Sequence, residues 1–177
     1  MRFLVLVMLA AASSIIYAQP ANPKGPQSIN FEKIDTSNVP SHIKAKFEST
    51  FEGATAVRWE KHTMQSNKEY LRYVAVFTEG GVRSRARYAE DGTPLSSSKY
   101  YGAIKLPEPI KVAAKKKYPD FNVVSGEEIT LKNGKSYYRV RSRKGAAKMI
   151  QYFDVDGNEL SKEKAPAGLI DGEEEGN

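Results

Sequence analysis

Apolar residues return every four positions in two stretches of the chain. Val39, Ile43, Phe47 and Phe51 form one series, and Leu106, Ile110, Ala114 and Tyr118 the other. A recurrence of this kind draws a single apolar stripe along an α-helix. Each series opens beside a proline, Pro40 or Pro107, where a missing N–H costs nothing. Gly53 and Pro119 end the two predicted helices. Elsewhere the period falls to two, the spacing of a strand with unlike faces. Strand-like runs cover 55–62, 69–78 and 82–89, with a short run after Asp91-Gly92. A second set covers 122–131, 136–143 and 147–153, with a short run after Asp156-Gly157. Gly80-Gly81, Asn133-Gly134, Gly145 and the two Asp-Gly pairs mark hairpin turns.

The two sets resemble each other in sequence. Residues 39–47 (VPSHIKAKF) align with 106–114 (LPEPIKVAA) at an offset of 67, and 88–95 (YAEDGTPL) with 153–160 (FDVDGNEL) at an offset of 65. Self-similarity over such a length predicts a duplicated supersecondary unit. The expected fold class is α+β: a tandem repeat of one helix packed on an about four-stranded antiparallel sheet, the helix covering one sheet face. The expected units span 38–104 and 105–164.

Alternation sorts the hairpin side chains into two faces. Tyr73, Ala75 and Phe77, with Ser84, Ala86 and Tyr88, should lie under the first helix. Tyr138, Val140, Ser142, Met149 and Phe153 should lie under the second. The outward face then receives Arg72, Val74, Val76, Arg83, Arg85 and Arg87 from the first unit. From the second it receives Tyr137, Arg139, Arg141, Arg143, Lys148, Ile150 and Tyr152. Such a face can be a solvated surface whose arginine stems cover apolar area and whose charges protect edges. Against that stands the expectation that Arg141 or Arg143 faces Lys148 across strands, a like-charge pairing that costs up to about 1 kcal/mol. Arginine mixed with tyrosine and aliphatic residues is also the composition of an interface core. These residues are therefore the candidate partner-binding face.

The chain ends refine the picture. Arg2 precedes an apolar core over 3–12, and 13–18 turns small and polar, ending Ile16-Tyr17-Ala18. This is the pattern of a secretory signal cleaved after Ala18. The apolar stretch is short for a bilayer span, which needs about 20 residues. The expectation is a periplasmic or secreted protein with no transmembrane segment after cleavage. Residues 19–37 begin with the proline-rich QPANPKGPQS and read as a linker, and 165–177 as a flexible tail ending in the acidic DGEEEGN. The formal net charge is +6, but the tail carboxylates mask the body: residues 19–170 hold 26 basic and 17 acidic side chains, a net +9. The chain has no cysteine and two histidines. Disulfides, thiolate metal sites, a cysteine nucleophile and a histidine-rich metal centre are thereby excluded.

The proline-led helix, the run Phe-Glu-Gly-Ala-Thr-Ala-Val-Arg-Trp-Glu at 51–60, the tyrosine-rich hairpin and the Asp-Gly turn occur in that order. This order resembles the PepSY-like family of exported bacterial proteins, similar in fold to β-lactamase inhibitor protein. The likeness covers roughly 38–164. Glu52 stands where the pattern usually has proline, which the second unit keeps as Tyr118-Pro119, and Gly126 stands where the first unit has Trp59. The resemblance implies a non-enzymatic exported binding module and supplies no catalytic residues. It does not imply lactamase inhibition, because shared architecture does not carry function.

Other constellations are weaker. Asp154-Val155-Asp156-Gly157-Asn158 has the look of a calcium-loop fragment, but Tyr152 would occupy a position that needs an oxygen ligand, and a hairpin turn explains the sequence. His42 and His62 read as surface or capping residues. Ser96-Ser97-Ser98 lacks a nucleophile-elbow pattern, and Gly80-Gly81 precedes no helix that could cradle a phosphate. Lys115-Lys116-Lys117 complements a helix C-terminus, and Trp59 reads as core. No cofactor is expected. The functional expectation is an exported non-catalytic binding module that inhibits or modulates an acidic envelope or secreted protein through its open face. The alternative is a polyanion binder, for lipopolysaccharide or nucleic acid.

Overall fold

The structure, a computed structural model, describes residues 29–65 and 67–170. The expected signal segment, the proline-rich part of the linker and the acidic end of the tail lie outside the described residues. Among the described residues the chain forms β1 (Ile29–Ile34), a 3₁₀ turn (Thr36–Asn38), α1 (Ser41–Thr50), β2 (Thr55–Met64), β3 (Asn67–Glu79), β4 (Val82–Ala89) and β5 (Pro94–Gly102). There follow α2 (Glu108–Lys117), β6 (Asn122–Leu131), β7 (Ser136–Lys144), β8 (Ala147–Asp154), β9 (Glu159–Leu160) and the single turn α3 (Ala167–Ile170).

All nine strands join one antiparallel sheet whose spatial order is the chain order, β1 to β9. This corrects the expected fold class. The chain is not a tandem repeat of one helix on a four-stranded sheet. It is mostly β, with two ten-residue helices laid on one continuous sheet. The physical reason is the pairing of β5 with β6, which runs from Ser96↔Leu131 to Gly102↔Ser125 without a register shift. A four-stranded sheet ending at β5 would expose a row of unpaired N–H and C=O groups, and β6 satisfies them. The same pressure operates at the other end. Residues 29–34, assigned to the linker by composition, pair with β2 from Ile29↔Met64 to Ile34↔Trp59. α3 likewise falls inside the stretch read as tail.

α1 and α2 cover the same sheet face. Under α1, Val39, Ile43 and Phe47 pack with Trp59, Tyr73, Ala75, Phe77, Ala86 and Tyr88. Phe47 anchors this cluster, with its ring 5.4 Å from Trp59 and 5.0 Å from Phe77. Under α2, Leu106, Ile110 and Ala114 pack with Tyr138, Val140 and Phe153. The exchange of tryptophan for glycine between the halves has a steric cause. A Cβ on Gly126 would lie 2.4 Å from Leu106 Cδ1, so the bare backbone gives the leucine its seat. A third, smaller cluster forms on the opposite face, where α3 brings Leu169 and Ala165 onto Ile129 and Tyr152.

Gly126→Ala should therefore lower stability by about 1–3 kcal/mol through overpacking against Leu106. Denaturant unfolding measures the loss, and a second change, Leu106→Ala, should remove the clash while leaving its own cavity cost.

Candidate functional site: an arginine-lined sheet face

Strand register places side chains in rows across the face opposite α1 and α2. One row runs Arg58, Val76, Arg85, Ser98, Ile129, Tyr137. The next runs Glu60, Val74, Arg87, Ser96, Leu131. On the far side of the first row lie Tyr100, Glu127, Arg139, Tyr152 and Leu160. Arg72 faces His62, and Arg83 faces Thr78. Arg141 lies opposite Ile150 and Arg143 opposite Lys148. Register sets the two predicted groups on the face opposite the helices, and because β5 joins β6 they occupy one face rather than two.

That face is less open than alternation alone suggests. Val74 and Val76 are buried although no helix covers them. Their cross-strand neighbours are Glu60 and Arg87 for Val74, and Arg58 and Arg85 for Val76, so long charged stems close over short aliphatic ones. Tyr152 is buried in the α3 cluster. Arg139 is 2% exposed and ion-pairs with Glu127 on the adjacent strand, itself 3% exposed. Val74, Val76, Arg139 and Tyr152 are therefore floor, not contact surface. Arg83, Arg143, Lys148 and Ile150 are exposed, while Arg72, Arg85, Arg87, Tyr137 and Arg141 are half-buried.

The buried pair organises its surroundings. Burial pushes the Glu127 carboxyl up, but the charges of Arg139 and Arg87 and the hydroxyls of Tyr100 and Ser98 outweigh it, so its pKa lies below the usual carboxylate range. Arg85 donates to Tyr100 Oη at 3.2 Å and lies over the same ring, 5.4 Å from its centroid. Arg72 is fixed by donating to the Leu71 carbonyl at 2.8 Å and by stacking on Tyr70 at 4.6 Å. Arg139 Nε and Nη1 are buried and find no hydrogen-bond partner among the described residues.

At the β2 edge a second constellation appears. Glu60 accepts from Arg58 Nη2 at 2.7 Å and bonds His62 Nε2 at 2.9 Å. His62 is 1% exposed and meets the Phe31 ring edge-on at 4.6 Å, which corrects its reading as a surface or capping residue. The hydrogen bond from His62 is the largest influence on Glu60, and with Arg58 and Arg85 it overcomes desolvation to hold the carboxyl down to about 2. The signal was present as Arg-x-Glu-x-His on one strand, which places all three side chains on the same face.

A cavity of about 310 Å³ opens on this face, lined by Arg72 and Arg87 from β3 and β4, by Leu95, Glu127, Ile129 and Leu131 from β5 and β6, and by Arg139 from β7. Lys132, Asn133 and Gly168 of α3 form part of its rim. The remaining candidates have local roles. Asp154 Oδ1 accepts from the backbone N–H of Asp156 at 3.0 Å and of Asn158 at 2.9 Å, so its carboxylate shapes the turn. His42 Nε2 bonds the Glu90 carbonyl at 3.1 Å and ties α1 to the β4–β5 turn. Among the described residues no group of three or more His, Asp or Glu is arranged to hold a metal ion, and no helix is long and apolar enough to cross a membrane.

No family model and no curated protein matches the chain. Solved structures do. A DUF2874 family protein from Bacteroides ovatus matches with a TM-score of 0.59 at 13% identity, over 69% of this chain and 84% of that one. A BLIP-like protein from Bacteroides fragilis matches with 0.57 at 17%, over 69% and 83%. A proposed periplasmic protein from Bacteroides eggerthii matches with 0.57 at 16%, over 70% and 86%. At these identities the likeness is one of fold, and the fold is BLIP-like.

The Glu60 cluster makes an acid-sensitive contribution to stability. Its folded pKa, about 2, lies below the ordinary 4.5, so the stabilisation is present above 4.5 and is lost as pH falls from there toward 2. The full lowering would give roughly 3–4 kcal/mol, and solvent screening of the partly exposed carboxylate holds the contribution below that. In denaturant titrations, wild type should lose more stability across that window than Glu60→Gln, by up to this amount. Equal acid slopes would show that the cluster does not hold Glu60 ionised.

Proposed function

We propose that the chain is an exported, non-catalytic binding module that engages an acidic protein of the bacterial envelope through its uncovered sheet face and modulates that partner. The observation that carries this reading is the surplus of cations at the accessible end of the face. Arg143 is directly opposite Lys148, Arg141 lies beside them, and Arg83 stands on the same face three strands away, on β4. Like charges set opposite each other cost stability. A partner carboxylate in that field would relieve the repulsion and be steered toward it. The half-buried Tyr137 and exposed Ile150 supply apolar contact among these cations. Likeness in fold to a BLIP-like protein and to a proposed periplasmic protein supports an exported binding role, as does the leader-like start of the sequence.

The test compares capture from an envelope extract by wild type, by Arg83→Glu/Arg141→Glu/Arg143→Glu, and by a Lys46→Glu/Lys115→Glu control on the helices. The reading predicts an acidic protein retained by wild type and the control and lost from the triple variant. Identical capture by all three would overturn it. Retention of nucleic acid or lipopolysaccharide instead, with affinity falling steeply as salt rises, would identify a polyanion binder.

A further inference from the structure

The cavity beside the Arg139–Glu127 pair has a chemistry distinct from the accessible cationic end of the face. Its volume of about 310 Å³ falls within the range of small-ligand pockets, about 300–1,000 Å³. Arg72 and Arg87 reach it from β3 and β4, and Arg139 lies in its floor from β7. Arg139 is 2% exposed, and its Nε and Nη1 donors have no partner among the described residues. Lys132 also lines the cleft, so four cations face the one carboxylate of Glu127, an excess of three. Between β4 and β7 the lining is aliphatic, formed by Leu95 on β5 and Ile129 and Leu131 on β6.

We propose that this cleft is a binding site for a small amphipathic carboxylate, a free organic acid with one anionic head and an apolar body. The head lies against Arg72 and Arg87, whose planar guanidinium groups match a carboxylate in two-point contact. Arg139, its charge offset by Glu127, keeps two buried donors, Nε and Nη1, in the lining. The body lies along Leu95 and Leu131. The wall disfavours a wholly polar anion, since desolvated aliphatic surface contributes only when covered by apolar atoms. The inference does not require a protein partner, and its residues are not those altered in the capture variant.

Octanoate is the probe, titrated calorimetrically into the full chain, with 1-octanol as its uncharged counterpart and acetate as its headgroup. One saturable site is expected for octanoate, with octanol and acetate at least tenfold weaker. Arg87→Gln should weaken octanoate at least tenfold. Leu95→Glu should abolish binding by placing a like charge in the apolar wall. Thermal melts establish that each variant is folded, and the wall variant decides the matter if the arginine variant is not. Arg83→Glu/Arg141→Glu/Arg143→Glu should bind octanoate as wild type does, whatever it does to protein capture. No saturable octanoate binding, equal binding of octanol, or wild-type affinity in the folded cleft variants would overturn the proposal.

Discussion

Backbone pairing between β5 and β6 is the constraint on which the rest of the structure depends. It converts two sets of hairpins into one sheet of nine strands. Once the strands are continuous, side-chain alternation extends across the whole molecule, and a residue on β3 shares a face with one on β8. Both helices then fall on one side, and the arginines of both halves on the other. The row Tyr100–Glu127–Arg139–Tyr152 crosses this join, so the β6–β7 ion pair is flanked by Tyr100, Ser98 and Arg87 of the first half, and the cleft beside it draws its lining from both halves.

The exposed and buried arginines solve different problems. Arg83 and Arg143 remain in water, where a charge costs little and its field reaches a partner. Arg139 has been taken out of water, which costs several kcal/mol unless an opposite charge compensates. Glu127 provides that charge from the neighbouring strand. Between these extremes Arg85 and Arg87 spend their stems on covering Val76 and Val74, the part of the sheet that no helix reaches. One residue type thus serves as a solvent-facing charge, a lid over aliphatic side chains and half of a buried pair. Strand position alone decides which.

Much of this was legible from spacing. The four-residue stripes become α1 and α2, and the two-residue alternation of 72–77 and 137–143 separates core from arginine face. What spacing could not supply was anything set by distant partners. Internal similarity predicted two helix-and-sheet units and left open whether their sheets join, because it reports what each half resembles, whereas the β5–β6 pairing depends on edges that both halves leave unsatisfied. β1 was concealed by its place after a proline-rich run, and α3 by its proximity to an acidic end. Arg139 looked exposed because its counter-charge is on another strand. Extending the alternation of Arg139 and Arg141 to Glu127 and Ile129 on β6 would have placed a carboxylate on the arginine face and raised the question of a buried pair.

Cysteine pairing across the join tests this account most directly, because the chain has no cysteine of its own. Ser97 and Thr130 are register partners on β5 and β6. Facing residues on antiparallel strands have Cα atoms about 4.5–5.5 Å apart, within the span a disulfide can bridge. Ser97→Cys/Thr130→Cys should oxidise in the folded protein to a single intramolecular disulfide. The offset pair Ser97→Cys/Ile129→Cys should remain reduced, since its side chains point to opposite faces. Free thiols in the first variant, or equal crosslinking in both, would mean that the two halves do not share a sheet and that the arginine face described here is not one surface.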